Sequence, residues 1–235
     1  MIEVRRGSDR FRTEAEGVTT RHSFSFGAHY DPGNVGFAVL VAHNDELLEP
    51  GAGYPEHPHT DVEIVTWVLE GALHHQDTAG NGGLVHPGLV QRLSAGRGVR
   101  HAETNDAGGI PGPTRFVQMW LRPDEPGLDP SYAQRDVDDA LAGGGLVPLA
   151  SGDPSVDAAL RVHTGGAVLL AARPGAGSAL DLPAAPHVHV FVTRGSVDVD
   201  GVGALDEADA LRLTGEDDRR VTASEDTELL VWSMR

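Results

Sequence analysis

Short apolar or alternating runs recur along the whole 235-residue chain, and glycine-rich turns separate them. Their length, alternation and β-branched residues are typical of strands rather than helices. The 30 glycines and 15 prolines also favour many turns over long helices. Many short strands with glycine turns indicate an all-β sandwich or barrel. The runs lie at residues 35–45, 63–71, 89–96, 114–123, 167–175, 187–195, 196–201, 210–215 and 227–234.

The second half of the chain echoes the first. Residues 57–81 and residues 185–201 each contain a His-X-His motif, an apolar run, a glycine turn and a second run. We interpret this as a weak internal duplication that gives two similar barrels in tandem. A stretch rich in Pro, Gly and Asp separates them, and residues 130–143 within it are a helix candidate. The predicted division is a barrel at 1–125, a connector at 126–154 and a second barrel at 155–235.

The composition excludes several kinds of chemistry. The chain has no cysteine, which excludes disulfides, thiolate metal ligands and a cysteine nucleophile. All basic residues are arginine, so a Schiff-base lysine is excluded too. A formal charge of −17 would repel phosphates and argues against direct nucleic-acid binding. Neither a membrane-spanning apolar run nor a signal-peptide core is visible, so we expect a cytoplasmic protein.

Two histidine-containing pairs predict a metal site. His57 and His59 would share one face of a strand with Glu63, and His101 would share a face with Glu103. If the intervening strands close into a barrel, the two pairs can face each other across its interior. Three imidazoles and a carboxylate suit Fe(II), Mn(II), Ni(II), Cu(II) or Zn(II), with open positions for other ligands. Surface histidines and a pH-sensitive patch are the alternatives.

These segments together resemble the pirin family of the cupin superfamily. The resemblance is carried by "RHSFSFGAHYDP" at 21–32, "GAGYPEHPHTDVEIVTWVLEG" at 51–71, "HQDTAGN" at 75–81 and "SAGRGVRHAETN" at 94–105. It covers most of residues 1–125 and continues more faintly toward the C-terminus. The combination is far more specific than any single motif among them.

The resemblance implies an all-β bicupin, two tandem jelly-roll β-barrels with short helices in the connector. It implies one metal per chain in the N-terminal barrel, with Fe(II) favoured over Mn, Ni, Cu or Zn. The family's ligands fall on His57, His59, His101 and Glu103, all present here. Some bacterial members oxidise quercetin, whereas the eukaryotic member is an iron-containing nuclear regulator.

We therefore expect a dioxygenase that takes a flavonol-like aromatic substrate and O₂, with Glu103 as the catalytic base. The substrate's 3-hydroxyl would lose its proton, and O₂ would then cleave the central ring. The alternative is a metal-binding regulatory or redox-sensing protein that acts through protein partners without turnover. We expect a monomer that does not associate with membranes.

Some side chains near these motifs have two interpretations. Glu63 either orients a ligand or holds water beside the metal, or it is a buried carboxylate paired with an arginine. His75 lies either near the pocket rim or, as we expect, in a solvated hairpin with His74. Phe24 and Phe26 share a strand face, which favours a place in the core.

The second His-X-His motif, His187 and His189, is not expected to bind metal. No histidine follows it, so the C-terminal barrel would lack late imidazole ligands. Carboxylates there fall in turns, such as Glu216, Asp217 and Asp218. An incomplete ligand set binds metal weakly, so we expect a degenerate second barrel.

Overall fold

The computed structural model describes residues 1–106, 110–215 and 219–235, and the carboxylates at 216–218 lie outside the described residues. The chain divides into two compact units that differ from a simple tandem arrangement. The N-terminal unit contains residues 11–136 and 162–164, and the C-terminal unit contains residues 1–10, 137–161 and 165–235.

The regular secondary structure of the described residues is almost entirely β-strand, as predicted. A 3₁₀ turn spans Gly7–Asp9 and one helical turn, α1, spans Asp138–Leu141. Within the described ranges, no helix combines the length and apolarity needed to cross a bilayer. The strands in chain order are β1 Ile2–Arg5, β2 Phe11–Ala15, β3 Val18–His22, β4 Leu40–Leu48, β5 Gly53–His59, β6 Glu63–Glu70, β7 Leu73–Asp77, β8 Gly82–Val85, β9 Leu89–Ser94, β10 Val99–Thr104, β11 Thr114–Leu121, β12 Ser131–Asp136, β13 Val147–Ser151, β14 Leu160–Arg161, β15 Val168–Ala172, β16 Ala179–Asp181, β17 His187–Arg194, β18 Ser196–Val199, β19 Gly203–Asp206, β20 Ala210–Thr214, β21 Arg220–Ala223 and β22 Glu228–Met234.

Each unit contains one seven-stranded and one four-stranded sheet. In the N-terminal unit the strand orders are β12-β9-β6-β11-β4-β3-β2 and β5-β10-β7-β8. In the C-terminal unit they are β1-β20-β17-β22-β15-β13-β14 and β16-β21-β18-β19. The eight strands β4 to β11 and the eight strands β15 to β22 correspond one to one in chain order. Corresponding strands have the same position in the sheet order, so the two units repeat one topology.

Each seven-stranded sheet takes an edge strand from outside the predicted barrel boundaries. β12 follows residue 125 but pairs with β9 in the N-terminal unit. β1 lies within the predicted first barrel but pairs with β20 in the C-terminal unit. The predicted helix at 130–143 is therefore wrong over 131–136, which form β12, and a helix is present only at 138–141. The polar side chains of β12 have no helical period, and an edge strand tolerates them.

The structural repeat is centred on the glycine turns rather than on the His-X-His motifs. Gly71 and Gly195 have φ of 72° and 77°, a conformation that L side chains rarely adopt. A Cβ at either glycine would lie 2.6–2.8 Å from a backbone carbonyl oxygen and a threonine hydroxyl. Counted back from these turns, His187 is equivalent to Glu63. The two His-X-His motifs therefore do not correspond, and the predicted sequence echo is wrong in register.

The two units differ in what fills their interiors. In the C-terminal unit, one apolar cluster contains residues from both sheets, such as Val190, Val197 and Val221. In the N-terminal unit, apolar clusters around Phe116 and around Ile64 are separate, and many polar side chains are buried as well. A buried polar layer requires internal partners, so this interior is where a functional site is to be sought.

Substitution of Gly53 tests whether β5 and β10 must lie close together at this position. A Cβ at this position would lie 2.3 Å from the carbonyl oxygen of Glu103 and 2.7 Å from Thr104 Cα. We expect Gly53→Ala to push the strands apart and to destabilise the protein by about 1–3 kcal/mol, measured by urea unfolding. The control is Gly83→Ala in the same sheet, where the nearest atoms are 3.6 Å away in the Gln134 side chain. Equal stability of the two variants would contradict this account.

Candidate metal centre

Three imidazoles come together where β5 pairs with β10. His101 lies opposite His57, and Val99 lies opposite His59, in an antiparallel register. Alternation along β5 places His57 and His59 on one face, as predicted. The two strands are hydrogen-bonded neighbours in the four-stranded sheet. The expectation that the two pairs face each other across the interior is therefore wrong.

The side chains of the three histidines converge closely. Their ring centroids are 4.5–4.9 Å apart, and His101 Nε2 lies 3.1 Å from His57 Nε2. His57 Nδ1 lies 2.9 Å from the carbonyl oxygen of Pro55. That contact fixes the ring and leaves Nε2 available to a metal.

Burial keeps two of these imidazoles neutral. It lowers the pKa of His59 to about 4, and the neighbouring His101 and His57 lower it further. Burial likewise lowers the pKa of His101 to about 4, although Glu103 opposes the shift. A neutral imidazole has a lone pair for a metal, so both rings are ready to bind at neutral pH.

Glu103 is a buried carboxylate on the same strand as His101. Alternation along β10 turns both side chains inward, and a register shift in the pairing with β5 places Tyr54 opposite Glu103 and His57 opposite His101. Burial by itself raises the pKa of Glu103, but His75, His101 and the Gln118 amide outweigh it and hold the pKa below its usual value. Gln118 Nε2 donates to Glu103 Oε2 at 2.8 Å. Glu103 is therefore a carboxylate with one oxygen occupied.

His75 is a member of this cluster that the sequence interpretation missed. Its side chain is fully buried, and Nδ1 lies 3.8 Å from Glu103 Oε1 and 3.4 Å from His101 Nδ1. Its ring stacks on Tyr132 with centroids 4.9 Å apart. The expected solvated hairpin is wrong for His75, although His74 beside it is half-buried and contacts Asp106. Alternation in β7 could have shown that one of the two histidines points inward.

The donor atoms fit a divalent transition metal. Two overlapping groups have their ligand atoms within 4.8 Å of one another: His57, His59 and His101, and His75, His101 and Glu103. Within the described residues, His59 Nε2 and Glu103 Oε1 are buried with no hydrogen-bond partner. Such atoms are costly to bury unless something binds them, and a cation would satisfy both.

A cavity of about 330 Å³ opens onto this cluster. Its aromatic side is formed by Phe26 and Trp120, whose centroids are 5.3 Å apart in an edge-to-face contact. Phe24 is in the core as predicted, but Phe26 lines the cavity instead. The full lining comprises Thr13, Thr20, His22, Phe26, Gly27, Ala28, Asn44, Glu46, Tyr54, His57, His59, Glu103, Gln118 and Trp120. A flat aromatic ligand suits a concave site with aromatic walls.

Glu46 forms a second polar group in the cavity wall. Thr20 Oγ1 and Tyr54 OH both donate to Glu46 Oε2, the latter at 2.7 Å. Burial raises the pKa of Glu46 to about 7, against the effect of these two hydrogen bonds. Burial also raises the pKa of Tyr54. The sequence interpretation missed Glu46, although alternation in β4 places it on the same face as Asn44.

Glu63 has other partners than those expected. Ser94 Oγ donates to its Oε2 at 2.7 Å, and His163 contacts it through both the backbone N–H and Nδ1 at 3.2 Å. Arg92 donates to the same Ser94 hydroxyl. This network fixes the residues 162–164 that the N-terminal unit takes from the second half of the chain. The expected role beside the metal is not supported by these contacts, and the alternative of a buried structural carboxylate is closer.

The C-terminal unit has apolar residues at the equivalent positions. Glu103 pairs with His75, four residues after Gly71. Val221 pairs with Val199, four residues after Gly195. Both groups of metal-binding side chains found in the described residues lie in the N-terminal unit. His189 is fully buried, and burial, followed by Arg212 and Arg10, lowers its pKa to about 3.

Comparison with known families covers most of the chain. A sequence profile described as Pirin matches residues 4–121. A profile described as the quercetinase C-terminal cupin domain matches residues 149–234.

Similar proteins align along nearly the full length. A Mycobacterium tuberculosis protein, provisionally named a quercetin 2,3-dioxygenase, is 49% identical over 99% of this chain and 95% of its own. The quercetin 2,3-dioxygenase of Escherichia coli K12 is 36% identical over 100% and 99%. The crystal structure of Escherichia coli YhhW superposes with a TM-score of 0.91 at 33% identity, over 100% and 98% of the two chains. A second YhhW structure, described as a bacterial pirin with nickel(II), gives 0.88 at 32% identity, over 100% and 99%. These matches confirm the predicted fold of two cupin-like domains.

His101 belongs to both groups of donor atoms, so its substitution tests the proposed metal centre. We expect His101→Ala to lose most of the bound metal, because both donor groups contain this residue. Metal per folded chain, measured by inductively coupled plasma mass spectrometry, should fall well below the wild-type value. The control is the double variant His187→Ala, His189→Ala, which should keep wild-type metal content. Unchanged metal in His101→Ala, or halved metal in the control, would refute this assignment.

The raised pKa of Glu46 predicts that the free energy of unfolding depends on pH. Its pKa is about 7 in the folded protein and 4.5 as the reference value, so folding favours the protonated form. The associated stabilisation is complete below pH 4.5 and is lost as the pH rises through 7. Relative to Glu46→Gln, the metal-free wild type should lose on the order of 3 kcal/mol of unfolding free energy between pH 4.5 and 8. Parallel denaturant-unfolding curves for the two proteins across this range would contradict the prediction.

Proposed function

The chain belongs to the pirin family, and on that premise we propose that it is a metal-dependent dioxygenase that cleaves the central ring of a flavonol such as quercetin. One observation carries the proposal: three imidazoles and a buried carboxylate cluster together, and His57, His59 and Glu103 of this cluster line a cavity with aromatic walls. The names of the full-length relatives agree with this chemistry.

We assign the metal to His57, His59, His101 and Glu103, one ion per chain. Fe(II) is the ion we favour, with Mn, Ni, Cu or Zn as alternatives, and a nickel complex is described for the related YhhW. A bound divalent metal would act as a Lewis acid that favours the deprotonated substrate hydroxyl and supports its reaction with O₂. The neutral imidazoles and the ionised carboxylate match this donor role.

Glu103 is the base in this proposal. Gln118 occupies Oε2, so Oε1, which would also contact the metal, is the oxygen that would detach in part to take the proton of the substrate's 3-hydroxyl. Gln118 is itself fixed, because its Oε1 accepts a hydrogen bond from Trp120 Nε1 at 2.9 Å. Phe26 and Trp120 pack against the substrate rings and exclude water from the reacting atoms.

The test compares two buried carboxylates in metal-loaded protein. We expect Glu103→Gln to lower the rate of quercetin cleavage by about 10²–10⁴-fold, the usual effect of losing a general base. Glu63→Gln is the matched control, because the Glu63 carboxylate contacts Ser94 and His163. It should keep the metal and a rate within about tenfold of wild type. Quercetin loss and O₂ uptake are both measured.

Two outcomes would overturn the assignment. Absence of quercetin turnover by the wild type with any of the five metals would refute the proposed reaction. Loss of metal in Glu63→Gln, with metal and rate retained in Glu103→Gln, would refute the assigned ligands and base. The cytoplasmic location and the monomeric state expected from the sequence stay predictions.

A further inference from the structure

The cavity contains a polar group, Glu46, on the side of the metal cluster that is nearer to the apolar cluster around Phe116. On β4, Asn44 lies opposite Gln118 of β11, and Glu46 lies opposite Phe116. Gln118 donates a hydrogen bond to Glu103, so the cross-strand pair Asn44 and Gln118 lies beside the metal cluster. Glu46 is two residues further along the strand, which is about 7 Å. A ligand that reaches the metal from the cavity therefore has a second polar side chain about 7 Å further along the cavity wall.

Glu46 has one carboxylate oxygen available to a ligand. The hydrogen bonds from Thr20 and Tyr54 both fall on Oε2. Within the described part of the chain, Oε1 has no hydrogen-bond partner. The side chain is 4% exposed and lines the cavity. A buried carboxylate oxygen that opens into a cavity is a strong acceptor for a hydroxyl donor.

The neighbours of Glu46 hold it in place. Thr20 pairs with Glu46 across β3 and β4, and its hydroxyl also lies 3.0 Å from the Tyr54 hydroxyl. Tyr54 packs against the apolar cluster that contains Leu48 and Phe116. The carboxylate is therefore positioned before any ligand binds, which reduces the entropic cost of binding.

We propose that Glu46 binds a hydroxyl group at the end of the substrate remote from the metal-binding hydroxyl, so that the site selects polyhydroxylated aromatic molecules. This inference rests on the proposed function for the orientation of the substrate. Neutral hydroxyls and an amide, from Thr20, Tyr54 and Asn44, line this part of the cavity. The raised pKa of Glu46 agrees with a neutral, hydroxyl-bearing ligand group rather than a cationic one.

The experiment measures binding without turnover. Metal-loaded protein is titrated under anaerobic conditions with quercetin and with 3-hydroxyflavone, which has only the metal-binding hydroxyl. At pH 8, above the pKa of Glu46, we expect the wild type to bind quercetin about 10- to 100-fold more tightly, the effect of one hydrogen bond to a charged group. Glu46→Leu should bring the two dissociation constants within about threefold of each other. The affinity of 3-hydroxyflavone and the metal content should stay near wild type.

Further variants separate recognition from folding. Glu46→Gln keeps an acceptor and should recover part of the preference, and Tyr54→Phe should lose only part of it, because Thr20 still holds Glu46. These two variants decide the matter if Glu46→Leu does not fold. Glu56→Gln is the matched control, since Glu56 is exposed and pairs with Arg100. It should bind both compounds as the wild type does.

The outcomes distinguish this inference from the proposed reaction. Equal or absent binding of the two compounds by the wild type would overturn the inference, as would a full preference in Glu46→Leu. If the preference depends on Glu46 but air brings no cleavage, the reaction fails and the subsite stands. If cleavage occurs with no preference, the reaction stands and the subsite fails.

Discussion

Antiparallel pairing of β5 with β10 is the constraint on which the metal centre depends. Backbone hydrogen bonds place His57 opposite His101, and alternation along β10 turns Glu103 to the same face as His101. Gly53 permits this approach, because any larger residue there would meet the carbonyl oxygen of Glu103. The donors are therefore held by a sheet rather than by mobile loops, which favours a preorganised site.

The polar interior of the N-terminal unit has an energetic cost. Each buried polar atom without a partner costs about 1–3 kcal/mol, so most polar side chains in the cavity wall bind one another. Gln118 links Glu103 to Trp120, and Tyr54 links Thr20 to Glu46. Among the described residues of the cavity wall, His59 Nε2 and Glu103 Oε1 are buried without a partner, and both border the site.

The two units have the same topology but different interiors. Both have the same sheet orders over most of their strands and the same glycine turn, at Gly71 and at Gly195. In the C-terminal unit, Val199 and Val221 replace His75 and Glu103, and a continuous apolar cluster fills the interior. Apolar packing of this cluster needs no hydrogen-bond partners, unlike the polar interior of the N-terminal unit. Each unit is completed by an edge strand that lies outside its own barrel in the sequence.

The sequence by itself determined the all-β class, the duplication and the residues of the histidine pairs. Strand alternation has a period of two, so it placed His57 with His59 and His101 with Glu103 on common faces. Only the tertiary structure decided which strands are neighbours, because strand pairing joins segments far apart in sequence. It put His75 and Glu46 at the site, moved Glu63 into a network with His163, and paired β1 with β20. Periodicity gives the face of a side chain, whereas its partners depend on register and sheet order.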